Sequence, residues 1–279
     1  MSRKKIPESD YDKIVDMYLN GYSSVYIGNL YGISHKPILN ILNKMGVSRN
    51  WNSLRKYELN EYYFDKIDTP NKAYILGLLY ADGYNNRSTN TVRLKLQKED
   101  KHILEDVAKE LGYNAPLIFD ERSRKNKNWK DTYSLDIRSA HMSEVLDIMG
   151  MHQAKSLTLK FPEWIDPILY PHFLRGYIDG DGSIYCYDKK MNWNISIVGT
   201  SDFCNYVKSI VESILGMHIH IKVDGRHNNI TCDIRIGGNR QVLKFLDWIY
   251  KDSDLKMERK YLKYQQCLNH YNINNSSAN

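Results

Sequence analysis

Apolar residues recur at helical spacing three times within the first fifty positions. Ile14, Val15, Tyr18 and Leu19 share one face of a segment from Asp10 to Asn20, which Gly21 stops. A second helix is expected from Ser23-Ser24, burying Val25, Ile27 and Leu30, with Gly32 supplying the turn after it. Ser34 is a suitable N-cap for a third. There Ile38, Ile41, Leu42 and Met45 pack inward, Pro37 sits in the first turn and Gly46 ends the helix. His35, Lys36, Asn40, Asn43 and Lys44 are left pointing outward. Helix, glycine turn, then a helix with a polar outer face is a helix-turn-helix pattern. Amides suit adenine edges, and lysines suit guanine edges or phosphates. Residues 1–49 are therefore assigned to an all-helical DNA-binding module, the alternative being a plain three-helix bundle. Residues 50–69 are assigned to a linker, partly helical around 61–64.

Beyond the linker the chain repeats itself. Ala73–Gly83 and His172–Gly182 match, with Gly77, Asp82 and Gly83 standing 99 positions before Gly176, Asp181 and Gly182. Each segment follows a proline, Pro70 or Pro171, placed where a helix can begin. What comes after also matches. Thr91–Gln97 alternates as a half-buried strand, and Lys101–Leu111 is an amphipathic helix. In the second copy their counterparts are Asn194–Val198 and Phe203–Leu215.

Further alternating runs follow in each copy. Tyr133, Leu135 and Ile137 form one apolar face; Ile219, Ile221 and Val223 form another, and Ile230, Cys232 and Ile234 a third. Helices over His141–Met149 and Arg240–Tyr250 close the two copies. The expected fold is α+β: two pseudo-symmetric halves, 70–160 and 161–270, each an antiparallel sheet with helices. Residues 271–279 are expected to be a disordered tail.

Composition narrows the class of protein. The 279 residues are 42% hydrophobic and 26% charged, with no apolar run near the roughly 20 residues of a membrane span. Met-Ser-Arg-Lys-Lys at the start has no apolar signal core, so a cytoplasmic location is expected. Cys186, Cys204, Cys232 and Cys267 have no paired spacing, which disfavours a zinc cluster or a disulfide framework. The net charge of +6 permits nucleic acid without requiring it. Its local concentration is more telling. Arg122, Arg124, Lys125, Lys127 and Lys130 crowd one polar loop, and the polar strand faces carry Arg93 and Lys95 in one half and His218, His220 and Lys222 in the other. Such faces fit a DNA groove, or are simply the solvent side of antiparallel sheets.

One helix ending in Asp-Gly is a routine cap. Two, each with a costly mid-helix glycine, call for a packing reason. Glycine lets two helix backbones approach closely. Parallel packing about a pseudo-twofold axis would set Asp82 against Asp181. Two carboxylates at helix C-termini repel each other and the local dipoles, and bound cations relieve that penalty. Hard oxygen ligands suit Mg²⁺, with Mn²⁺ able to substitute, and such ions stabilise charge at a scissile phosphate.

At Ile75–Gly83 and Leu174–Gly182 the chain resembles the two-motif, single-chain LAGLIDADG homing endonucleases, and the resemblance extends over most of residues 70–265. It implies that Asp82 and Asp181 bind metal together with the carbonyls of Ala81 and Gly180. It also implies that basic or amide groups of the sheets, for which strand position suggests Gln97, Arg138 and Arg235, organise water and counter charge. The implied activity is metal-dependent, site-specific double-strand cleavage of a long, imperfectly symmetric DNA target by a monomer. The sixth motif position departs between copies, being Tyr80 in the first and Asp179 in the second. With no flanking self-splicing segment, a free-standing or intron-encoded mobile-element enzyme is expected. The wealth of Asn, Lys, Ile and Tyr points to an AT-rich bacterial or phage genome. Two other readings are a non-cleaving DNA-binding transcription regulator and an intron RNA maturase; retention of both aspartates weighs against the former, and the helix-turn-helix against the latter.

Overall fold

The computed structural model describes residues 6–47, 56–187, 191–223 and 230–276. The chain divides between Glu58 and Leu59 into two compact units.

The smaller unit holds α1 (Tyr11–Leu19), α2 (Ser24–Leu30) and α3 (His35–Lys44) around Ile14, Ile27, Ile38, Ile41 and Leu42. Ser23 accepts a hydrogen bond from the Tyr26 amide and starts α2, whereas Ser34 makes no side-chain cap. Four residues expected in this core are exposed: Leu19, Val25, Leu30 and Met45. For Val25 and Leu30 the reason lies in α2. It has two turns and approaches the rest of its unit at Gly28, where a β-carbon would lie 2.9 Å from the Ile33 carbonyl oxygen. Contact that close leaves one edge of the helix to bury.

The larger unit begins earlier than expected. Tyr63, Phe64 and Ile67 already belong to its core, and 61–65 is a turn rather than a helix, so of the expected linker only 50–58 lies outside the unit. Residues 50–55 of that linker, and 277–279 of the expected tail, lie outside the described residues.

Two halves with one topology follow. The first runs α4 (Pro70–Asp82), β1 (Gly83–Asn86), β2 (Thr91–Gln97), α5 (Lys101–Glu110), β3 (Ile118–Asp120), β4 (Thr132–Arg138) and α6 (Ala140–Ile148). The second runs α7 (Tyr170–Asp181), β5 (Ser183–Tyr187), β6 (Asn192–Thr200), α8 (Ser201–Leu215), β7 (His220–Val223), β8 (Thr231–Gly237) and α9 (Asn239–Tyr250). The antiparallel sheets order their strands identically, β1-β2-β4-β3 and β5-β6-β8-β7. Register puts Val92 beside Ile137 and Leu94 beside Leu135 on one apolar face, and Ile195 beside Ile236 and Ile197 beside Ile234 on the other. Helices cover both faces, and a continuous core runs through the two halves. Val223 and Ile230, expected to point inward, are exposed because β7 is an outer strand and its register ends at that margin.

A last helix, α10 (Glu258–Ser276), was not legible as one. It carries residues 271–276, expected to be disordered, and anchors itself through Cys267, Leu268 and Tyr271. All four cysteines are free thiols. Among the described residues no helix is long and apolar enough to cross a membrane.

Candidate active site

The site is built by α4 and α7. Thr69 caps α4 by accepting from the Lys72 amide, Pro70 fills its first position, and Pro171 stands in the first turn of α7. Both helices are buried over most of their length, so their two glycines decide how near they come. A β-carbon on Gly77 would lie 2.0 Å from the Phe173 carbonyl oxygen, and one on Gly176 would lie 2.0 Å from that of Tyr74. Only glycine permits backbones this close. The helices run out together at Asp82 and Asp181, and each half then turns directly into the first strand of its sheet.

Contact persists to the tip. A β-carbon on Gly180 would lie 2.4 Å from Ala81 Cβ and 3.0 Å from Asp82 Oδ2, so the Asp82 carboxylate rests against the Gly180 backbone. Burial, reinforced by the charge of Asp181, pushes the Asp82 carboxyl up to about 6. Desolvation raises Asp181 as well, although its side chain keeps access to solvent. Both aspartates therefore sit where their ionised forms are disfavoured unless positive charge comes near.

Two buried lysines supply some of it. Lys155 donates to the carbonyl oxygens of Ala81 (3.2 Å) and Gly83 (2.6 Å). Lys260, in the first turn of α10, donates to those of Ile178, Asp179 (2.7 Å), Gly180 (3.3 Å) and Gly182 (2.7 Å). Each ammonium thus closes the C-terminal end of its own motif helix, where a cation is favoured by the dipole. Burial still lowers both, Lys260 to about 8. Lys155, Asp181 and Tyr177 also line one pocket of about 290 Å³ beside the helix ends.

Neither lysine was picked out from the sequence. The available signal was a lysine after the closing helix of each copy, 73 residues beyond Asp82 and 79 beyond Asp181. Unequal loop lengths and the neighbouring Lys251, Lys256 and Lys263 hide it.

The sheet residues expected to assist are set back from the helix ends along and across the strands. Gly83 pairs with Leu94, so Gln97 is three residues along β2 in one direction, about 10 Å at strand spacing. It accepts from Lys130 at 2.9 Å. Arg138 pairs with Thr91, three residues the other way. Arg235 is level with Ser196 and Ser183 but two strands removed, and it donates to Asp233 at 2.7 Å. None of the three shares a hydrogen bond with Asp82 or Asp181, whose helix ends Lys155 and Lys260 close.

The other candidate residues are outward-facing. His35, Lys36, Asn40 and Asn43 are exposed on α3, while Lys44 is tied to Glu8 at 3.0 Å. Arg124, Lys125 and Lys127 are exposed on the loop after β3, and Arg122 stacks over Trp129. His218 and His220 contact edge to face, next to exposed Lys222. Arg93 makes a two-pronged ion pair with Asp136, its direct cross-strand neighbour, and Lys95 pairs with Asp120 at 2.7 Å.

A divalent cation fits the donors present. Two carboxylates and the carbonyl oxygens of Ala81 and Gly180 are hard oxygen ligands of the kind Mg²⁺ accepts. No group of three or more His, Cys, Asp or Glu residues suited to a metal occurs among the described residues. A cation here would complete its shell with water or phosphate, as Mg²⁺ commonly does.

No family model matches the chain, and no curated protein matches it in sequence. Solved structures do. The homing endonuclease I-WcaI bound to its DNA recognition sequence superposes with a TM-score of 0.51 at 14% identity, over 78% of this chain and 96% of that one. The fold is the LAGLIDADG homing-endonuclease fold. The I-LtrWI LAGLIDADG homing endonuclease bound to target DNA matches over 77% of this chain and 92% of that one, at 14% identity and a TM-score of 0.47. In the LAGLIDADG fold of the present chain, α4 and α7 are the two motif helices, and Asp82 and Asp181 are their eighth positions.

Proposed function

We propose that the protein is a site-specific DNA endonuclease that hydrolyses one phosphodiester in each strand of a long, imperfectly symmetric duplex target, with Mg²⁺ or Mn²⁺ held by Asp82 and Asp181. One observation carries this reading: two aspartates with raised carboxyls, Asp82 half-buried and Asp181 more open to solvent, stand at the paired ends of helices whose glycines bring them together. A structural role would be met more cheaply by neutral residues. The Ala81 and Gly180 carbonyl oxygens complete the protein's share of the ligands.

When bound, the cation supplies Lewis-acid stabilisation of phosphate charge and an activated water. The protein's own groups do the rest. The aspartates fix where that charge is neutralised. Lys155 and Lys260 hold the helix ends and counter negative charge gathering on the phosphate. Arg93, Lys95, Arg122, Arg124, Lys125, Lys127, His218, His220 and Lys222 supply phosphate and base contacts from the polar sheet faces and loop, while Gln97, Arg138 and Arg235 organise water and counter charge. His35, Lys36, Asn40, Asn43 and Lys44 supply those of the N-terminal unit. Both halves lie in one chain, so a monomer suffices. Expression is proposed to be cytoplasmic, in a bacterial or phage-infected cell.

Asp82→Asn and Asp181→Asn test the reading through cleavage and binding assayed side by side. Loss of double-strand cutting with DNA affinity retained supports it. Near-normal cutting by either variant overturns the site. Tight binding without cutting by the unaltered protein turns the reading to a DNA-binding regulator.

A further inference from the structure

The sixth motif position, where the copies differ, points at the lysines. Asp179 is wholly buried on α7. Its carboxylate accepts from Tyr250 Oη at 2.7 Å, Tyr74 Oη at 2.9 Å and the Met257 amide at 2.8 Å. Tyr250 is the last residue of α9, and Met257 immediately precedes α10. One carboxylate therefore pins both ends of the connection between these helices. One turn earlier Arg175, also wholly buried, donates to the carbonyl oxygens of Ile249 (2.8 Å) and Leu255 (2.9 Å). Three residues past Met257 stands Lys260.

The first half has the same arrangement in different chemistry. Tyr80, 99 residues before Asp179, donates through its hydroxyl to the carbonyl of Met149, the residue that follows α6, much as Tyr250 closes α9. Asn85 holds the next stretch by donating to Met151 at 3.1 Å. The chain then passes through Ala154 in the left-handed region (φ 59°) and delivers Lys155. A phenol suffices where one carbonyl must be held and the lysine follows closely. A carboxylate is needed where the connection is longer and must be caught by an amide and a phenol.

We infer that the sixth motif residue of each half, Tyr80 or Asp179, is a positioning residue that sets the buried lysine of its own half, Lys155 or Lys260. This deepens the nuclease reading and rests on it for the cleavage readout alone.

The test is limited acetylation of lysines in the full-length protein, quantified by peptide mass spectrometry, with thermal melting to establish folding. Asp179→Asn keeps the volume but weakens the charge-assisted bonds. It is expected to raise Lys260 labelling about tenfold with Lys155 unchanged. Tyr250→Phe removes one donor and should raise Lys260 labelling by a smaller factor, which keeps the test open if Asp179→Asn does not fold. Tyr80→Phe should raise Lys155 labelling alone. Labelling unchanged at both lysines, or rising equally at both in every variant, overturns the inference. Strand-resolved cleavage gives the functional counterpart. Asp179→Asn and Tyr80→Phe should slow opposite strands at unchanged DNA affinity, and equal slowing of both strands contradicts half-specific positioning. If the unaltered protein cuts no DNA while labelling responds half by half, positioning stands and the nuclease reading falls.

Discussion

Asp82 Oδ2 lies 3.0 Å from the point a β-carbon on residue 180 would occupy, so the carboxylate of one half is seated on the bare backbone of the other. The motif helices are thus complementary at their tips rather than identical: Ala81 fills the space where Gly180 leaves it. Gly180→Ala should displace Asp82 and overpack the junction, costing about 1–3 kcal/mol. Cleavage should fall further than the loss of stability explains. Denaturant melts and cleavage rates on one preparation check this; a variant with unchanged rate would mean that the seat does not set the carboxylate.

The Asp82 carboxyl has a folded value of about 6 against 3.8 for an unperturbed aspartate. A raised value means that the folded state favours the proton. The associated stability is full below about pH 4 and is lost as pH rises through about 6. Without divalent cation, Asp82→Asn should therefore be more stable than the parent at pH 7.5, by about 3 kcal/mol at most, and the gain should vanish below pH 4. Adding Mg²⁺ should raise the melting temperature of the parent and not that of Asp82→Asn. Equal melting of the two proteins across this range would count against a strained, cation-seeking pair.

Lys155 and Lys260 carry their charge at buried helix ends, so removing one should cost transition-state stabilisation more than binding. Lys260→Met and Lys155→Met are each expected to slow single-turnover cleavage by roughly 100-fold or more while leaving DNA affinity little changed. A variant that binds weakly yet cuts at the parental rate when saturated would make these lysines ordinary phosphate contacts.

The N-terminal unit presents Lys36 and Asn40 on the exposed face of α3. If α3 meets DNA, Lys36→Ala should lower the slope of log affinity against log salt by about one. Asn40→Ala should relax preference at one base position instead. Titration at several salt concentrations separates these outcomes, and an unchanged slope would leave Lys36 without a phosphate partner.

Much of the body was legible because its signals are local. Period-two alternation placed β2 over Thr91–Gln97, and the repeated Asp-Gly helix ends placed Asp82 and Asp181 at one junction. Mid-helix glycines gave the reason for the close approach, since their cost demands contact. What escaped depends on long-range contact. Lys155 and Lys260 act through loops whose lengths differ, and nothing local distinguishes them from lysines facing solvent. The polar seat of Asp179 is assembled from Tyr74, Tyr250 and Met257, far apart in sequence. In α2, Val25 and Leu30 have the apolarity of core residues, but the helix is too short to bury them. In α10, mixed polarity hid a helix held by tertiary packing.

The most direct measurement is cleavage of a randomised duplex DNA library in Mg²⁺ and in EDTA, sequencing the ends produced, with Asp181→Asn run in parallel. The account predicts cation-dependent double-strand ends at one extended sequence, absent from both the EDTA and the variant reactions. Enrichment of a bound sequence without ends, or ends that persist in Asp181→Asn, would contradict it.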